Sequence, residues 1–193
     1  MSIKLNLKAA LASLLRPFRG INVDKTYRGP SSIVLLLHKP DFPNLKQLSA
    51  YAEEAFKVPF ATENATDFCV FQKVLFTFMQ IGPHVLSFLF YTKPYFDEVG
   101  CGFAKTLPLP AQRIAWNEHT AWLATNYAEG PADEDTQYAI LSKLNIEMLD
   151  GNCTGAYGPG EQLFIPNNRS LLNELRQNAV LFPGFQLPPT RPN

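Results

Sequence analysis

Trp116, Glu118, His119 and Trp122 fall within seven residues and form the densest group of chemically capable side chains in this chain. A carboxylate beside an imidazole suits general acid–base catalysis, where a group with a pKa near the working pH moves a proton. Tryptophans beside such a pair would supply a stacking surface for a ligand or partner. His84 is the further side chain that could join Glu118 and His119 in space, and His38 completes the set of three histidines. No two histidines have the i, i+4 or HExxH spacing by which one helix turns two imidazoles onto a metal. The chain has no GxSxG elbow, no GxxxxGK phosphate loop and no GxGxxG after a strand. Gly155, Gly158 and Gly160 sit between two strands and do not open a helix, which is the wrong context for cradling phosphate. Gly100-Cys101-Gly102 is a thiol-bearing loop with no adjacent cation or base to activate it, and Asp97 and Glu98 read as solvated loop carboxylates. No metal and no cofactor is expected.

Composition narrows the classes further. In 193 residues, 46% hydrophobic and 18% charged residues describe a globular chain. Seventeen basic residues balance seventeen acidic ones, so the broad positive field that captures phosphate backbones is missing and nucleic acid is not an expected partner. Cys69, Cys101 and Cys153 are odd in number and in no CxxC arrangement, as reduced cysteines of a cytoplasmic protein would be. Val74–Thr92 is nineteen residues without a charged side chain, long enough to suggest a membrane span. Gln80, Gly82, Pro83 and His84 at its centre argue instead for two buried strands, Val74–Ile81 and Val85–Thr92, around a tight turn.

These candidate residues need elements to position them. Residues 1–30 read as a basic amphipathic helix and a linker: Ile3, Leu7, Leu11, Leu14 and Phe18 recur at helical steps, with Lys4, Lys8, Arg16 and Arg19 and no acid. Residues 31–181 read as one α+β domain with halves 31–119 and 120–181. The first half opens with an apolar strand at Ser31–His38, then a helix from Asp41 or Pro43 with Leu45, Leu48, Ala52 and Phe56 on one face. The hairpin and a helix from Pro108 or Pro110 follow. The second half repeats the order: a strand at Thr120–Ala128, a helix capped near Asp133 and stopped at Gly151, strands Cys153–Tyr157 and Gln162–Pro166 around Gly158-Pro159-Gly160, and a helix capped by Asn167 or Asn168. Two strand-helix-strand-strand-helix halves side by side would make an antiparallel-rich sheet of about six strands with helices packed on it. Residues 182–193, with four prolines, form a tail unfit for helix or central strand. The hairpin is apolar on both faces, Leu75, Thr77 and Met79 against Val74, Phe76 and Phe78, so something must cover its second face.

The segment Glu118-His119-Thr120-Ala121-Trp122-Leu123, with the Cys153–Tyr157 strand, Phe164-Ile165-Pro166-Asn167 and the Leu171–Leu175 helix, resembles an uncharacterised bacterial domain family with an EHxAWL-type segment. The resemblance runs from about Ser31 to Phe185 and implies no activity or site residue. Relatives of that type continue the strand with Val and an acid, where this chain has Ala124, Thr125 and Asn126. The doubled strand order is also similar, in topology alone, to the gyrase-inhibitor-like ligand-binding fold, whose halves form a cleft.

The leading expectation is a soluble, non-enzymatic binding or protein-interaction module, contacting a protein partner, a second copy of itself or a small-molecule ligand. Its expected contact residues are Trp116, Glu118, His119 and Trp122 with Phe88, Phe90 and Tyr91 of the hairpin. One alternative is an enzyme whose site assembles around His119 and Glu118; another is a small-molecule cleft. A third is peripheral membrane contact through residues 1–19.

Overall fold

The computed structural model describes residues 31–62, 67–73, 76–95 and 103–182. The N-terminal stripe and linker, Asp97, Glu98, the Gly100-Cys101-Gly102 loop and the tail beyond Phe182 lie outside the described residues. Seven strands form one antiparallel sheet: β1 (Ser32–Leu37), β2 (Phe68–Lys73), β3 (Phe76–Ile81), β4 (His84–Tyr91), β5 (Ala121–Glu129), β6 (Cys153–Gly158) and β7 (Leu163–Pro166). Five helices accompany them among the described residues: α1 (Leu45–Phe56), α2 (Phe103–Thr106), α3 (Pro110–Asn117), α4 (Glu134–Met148) and α5 (Arg169–Ala179). The protein is α+β. None of these helices is long and apolar enough to cross a membrane.

Local chemistry starts each long helix. Asn44 accepts the Gln47 N–H and the Gln47 side chain accepts the Asn44 N–H, at 3.0 and 2.9 Å, so α1 opens with a reciprocal cap. Asp133 accepts the Thr136 N–H at 2.9 Å at the start of α4, with Glu134 and Asp135 in the first turn where the dipole favours negative charge. Asn168 caps α5 by accepting from Ser170 and Leu171. Its neighbour Asn167 does other work, donating to the carbonyls of Asp150 and Cys153 at 2.9 Å each.

The sheet order is β2-β3-β4-β5-β1-β6-β7. It differs in two ways from six strands in two adjacent halves. First, β2 adds a seventh strand, paired with β3 and, through Ala61, with a short parallel bridge at Cys69. Second, the halves are interleaved. The opening strand of the second half, β5, pairs with the hairpin of the first, and the opening strand of the first half, β1, pairs with the hairpin of the second. The two opening strands pair with each other at the centre. Each half thus completes the other's sheet, which makes the domain one cooperative unit.

Alternation along the strands sorts side chains onto two faces. Ile33, Leu35 and Leu37 of β1 face the main core with Leu48 and Ala52 of α1, Ile140, Leu141 and Leu144 of α4, and Leu171 and Leu175 of α5. Val34 and Leu36 face the other way, toward Trp116, Trp122, Tyr157 and Phe164. A third cluster, Cys69, Phe71, Phe78 and Val85, lies on that same second face at the β2–β4 end. The hairpin predicted to be apolar on both faces is buried on both, and it turns on Gly82 (φ +58°) and Pro83.

Candidate functional site

On the second face, α3 packs over β6 and β7 and sets its one buried residue, Trp116, among rings. Pro110 begins α3 with its fixed φ, and the Gln112 side chain accepts the Leu109 N–H at 3.2 Å. Gln112 also donates to the Phe164 carbonyl at 3.2 Å, tying the helix to the edge strand. The Trp116 ring centroid stands 4.5 Å from Phe103, 5.2 Å from Phe164 and 5.5 Å from Tyr157. Tyr95 bridges this group to Trp122, 5.5 Å from Tyr157 and 5.1 Å from Trp122 in an edge-on approach. Most of these contacts are tilted or T-shaped, which sets ring edges against ring faces. Gly155 makes room for them: a Cβ there would lie 2.5 Å from Phe164 Cε2.

His119 is built into this cluster. Its Nδ1 donates to the Trp116 carbonyl, and its Nε2 accepts the Tyr95 N–H at 2.8 Å. One ring thereby fixes both the C-terminal end of α3 and the chain leaving β4. Burial holds the His119 pKa below the ordinary value, and the Tyr95 N–H, already aimed at Nε2, would face a second proton there on protonation. The imidazole is neutral with both nitrogens engaged. Glu118, one residue earlier, is exposed at the end of α3.

The remaining candidates are dispersed. Phe88 and Phe90 point to the main core, stacked on each other at 6.3 Å, while Tyr91 lies on the opposite face, 47% exposed and 5.4 Å from Trp122. His84 sits at the other end of the sheet from His119, since β4 starts beside Glu129 whereas His119 precedes the first residue of β5. There His84 Nδ1 is hydrogen-bonded to the Tyr127 hydroxyl at 2.6 Å and meets Phe182 edge-on. Gly130 (φ +144°) closes the same corner, where a Cβ would press on the Tyr127 hydroxyl at 2.2 Å. Burial lowers the His84 pKa and raises that of Tyr127. His38 is exposed just beyond β1. The structure therefore brings Trp116, His119 and Trp122 together as packing and leaves Glu118, His84 and His38 apart from them.

Reading from the sequence did not connect Tyr95, Tyr157, Phe103 and Phe164 to the tryptophans, nor Tyr127 to His84. Those partners come from distant strands, and strand order was the missing information. The described residues contain no group of three His, Cys, Asp or Glu side chains able to hold a metal ion. Cys69 and Cys153 are buried, and burial pushes the Cys153 thiol up to about 12, so it stays protonated and unreactive.

The helix layer offers a different surface. Between α1, α4 and α5 lies an open groove of about 450 Å³. Ala55, Ile146, Ala179 and Phe182 give it an apolar floor, with Lys143, Arg176 and Glu147 around it. Lys143 Nζ lies 5.6 Å from the Phe182 ring centroid, a cation over an aromatic face. At the lip, Val180 is 79% exposed just beyond the end of α5, and Leu181, the next residue in the chain, is 59% exposed. Comparison with protein-family models, with curated proteins and with solved structures returned no significant match.

Proposed function

We propose that the protein is a non-catalytic interaction module that engages a protein partner through the helix-layer groove, with the aromatic face serving as scaffold. The observation that carries this reading is the exposure of Val180 at the lip of an apolar floor edged by Lys143, Arg176 and Glu147, with Leu181 exposed next to it in the chain. Isolated exposed apolar residues are ordinary, but two in sequence, the first of them lining a groove, form a surface that a partner can dry. Lys143 and Arg176 fit a segment that brings aliphatic side chains and a carboxylate. The placement of the acid–base candidates supports the same reading: His119 is used internally, Glu118 is alone at the surface and His84 is bound to Tyr127. The expected contact residues thus move from the tryptophans to the helix layer.

The test places a photo-reactive benzoylphenylalanine at Val180 in the full chain, expressed in cells. A discrete adduct that disappears on Arg176→Glu, with unchanged melting, is the expected result. Absence of any adduct, or an adduct indifferent to Arg176→Glu and Lys143→Glu, defeats the reading. Sedimentation at micromolar concentration separates a second copy from a different partner.

A further inference from the structure

The groove of the helix layer carries charges of both signs that the fold does not pair. Lys143 and Glu147 stand one turn apart on α4, and Arg176 lines the same groove from α5. Lys ahead of Glu at a four-residue spacing is the weaker order for an ion pair along a helix. Among the described residues none of the three side chains makes an ion pair or a hydrogen bond, and Lys143 lies over the Phe182 ring instead. The groove is also both recess and projection. A last tight turn follows α5, with the Leu181 N–H on the Asn178 carbonyl at 3.1 Å and the Phe182 N–H on the Ala179 carbonyl at 3.3 Å. That turn sets Phe182 into the floor and leaves Val180 standing at the lip. Resting on the reading of this groove as the contact surface, we propose that its occupant is a second copy of the same chain, docked about a two-fold axis with the two grooves face to face.

A two-fold contact joins one patch to its own image, so the patch must be complementary to itself. This one is. It offers an apolar projection beside an apolar recess, and cations beside an anion. An anionic segment alone would answer Lys143 and Arg176 and leave Glu147 without a counterpart. A second copy answers all of them. It brings Val180 and Leu181 as the aliphatic side chains and Glu147 as the carboxylate. Symmetry makes each contact twice: Val180 of each copy enters the recess of the other, and Arg176 of each meets Glu147 of the other. Lys143 stays over Phe182 and holds that ring in the floor. Contact through the exposed faces of three helices is a small interface, of the kind that forms reversibly.

Charge reversal tests the symmetry. Sedimentation of the full chain at about 100 µM, where a small reversible interface is populated, should show a dimer. Arg176→Glu and Glu147→Arg should each weaken dimerisation by about tenfold or more, because each sets like charges opposite one another at both contacts. Mixed in equal amounts, the two variants should associate again, since every reversed charge then meets its opposite. A monomer at that concentration, dimerisation indifferent to either substitution, or no recovery on mixing overturns the proposal. Where melting shows that a variant does not fold, benzoylphenylalanine at Val180 in an equal mixture of light and heavy isotope-labelled chains decides. An adduct joining a light chain to a heavy one through a peptide of α4 or α5 supports the dimer; an adduct confined to one chain overturns it. In cells, an adduct to a different protein overturns the second copy and leaves the groove as a contact surface, whereas no adduct in either setting removes both.

Discussion

The two faces of the sheet are sealed by different means. The main core is roofed by α1, α4 and α5, helices of twelve, fifteen and eleven residues, and is filled largely by Ile, Leu and Val. The second face at the β6–β7 end is roofed by α2 and α3, of four and eight residues, and sets Trp, Tyr and Phe rings over Val34, Leu36, Leu107 and Ala124. A long amphipathic helix covers a strand face by area, with many interchangeable aliphatic contacts. A helix of two turns cannot, so a few large rings interlock in directed, edge-on contacts instead. The first arrangement tolerates substitution at many positions. The second concentrates its stability in few.

That contrast can be broken by four measurements. The largest effect should come from Trp116→Ala, which removes the hub of the ring cluster; denaturant unfolding should show a loss of about 3–5 kcal/mol. Ala139→Gly or Leu171→Ala in the main core should each cost less, and equal losses would mean that the aromatic face is no more concentrated than the other. Next, Gly155→Ala sets a methyl against Phe164 Cε2 and the Ile165 carbonyl, 2.5 and 2.6 Å away, and should cost about 1–3 kcal/mol through overpacking. A stability change near zero would show that the rings have slack.

The third is pH. His84 and His119 both have folded-state pKa values lowered by burial, so the unfolded chain binds protons more readily. Stability is therefore intact above the unfolded histidine pKa of about 6.5 and falls as pH drops below it. Melting temperature should decline between about pH 7.5 and 5, and His119→Gln should flatten the decline as well as lower the starting value. A flat profile in the unmodified protein would refute burial of the neutral forms. The smallest effect belongs to Ser87, whose buried hydroxyl has no hydrogen-bond partner among the described residues. Ser87→Ala should leave stability within about 1 kcal/mol or raise it, since no hydrogen bond is lost. A larger loss by thermal melting would reveal a partner for that hydroxyl.

Much of the fold was legible before the strands were placed. The starts of α4 and α5 are marked by Asp133 and Asn168, whose side chains satisfy N–H groups that a helix leaves open, whereas α1 is capped by Asn44 and not by the expected Asp41 or Pro43. The Gly82–Pro83 turn divides β3 from β4 because glycine takes the positive φ that the turn needs. Strand β2 was missed for the opposite reason. Between Lys73 and Phe76 the chain has Val74-Leu75, which carries no turn signal, so the apolar run hides the boundary. The candidate site was legible as a list of residues and illegible as geometry. His119 looks the same in sequence whether it faces a substrate or bridges Trp116 to Tyr95.

The sequence by itself determined the four longer helices, though not α2, and the central hairpin, the class of fold and the double apolarity of Val74–Thr92, because caps, turns and periodicity act over a few residues. Only the tertiary structure decided that β1 and β5 exchange places between the halves and that the tryptophans and His119 are turned inward and buried. Strand pairing and burial depend on contacts between residues far apart in the chain: Leu36 beside Trp122, Val34 beside Tyr157, His84 beside Tyr127. No local pattern encodes which of several apolar strands will be neighbours.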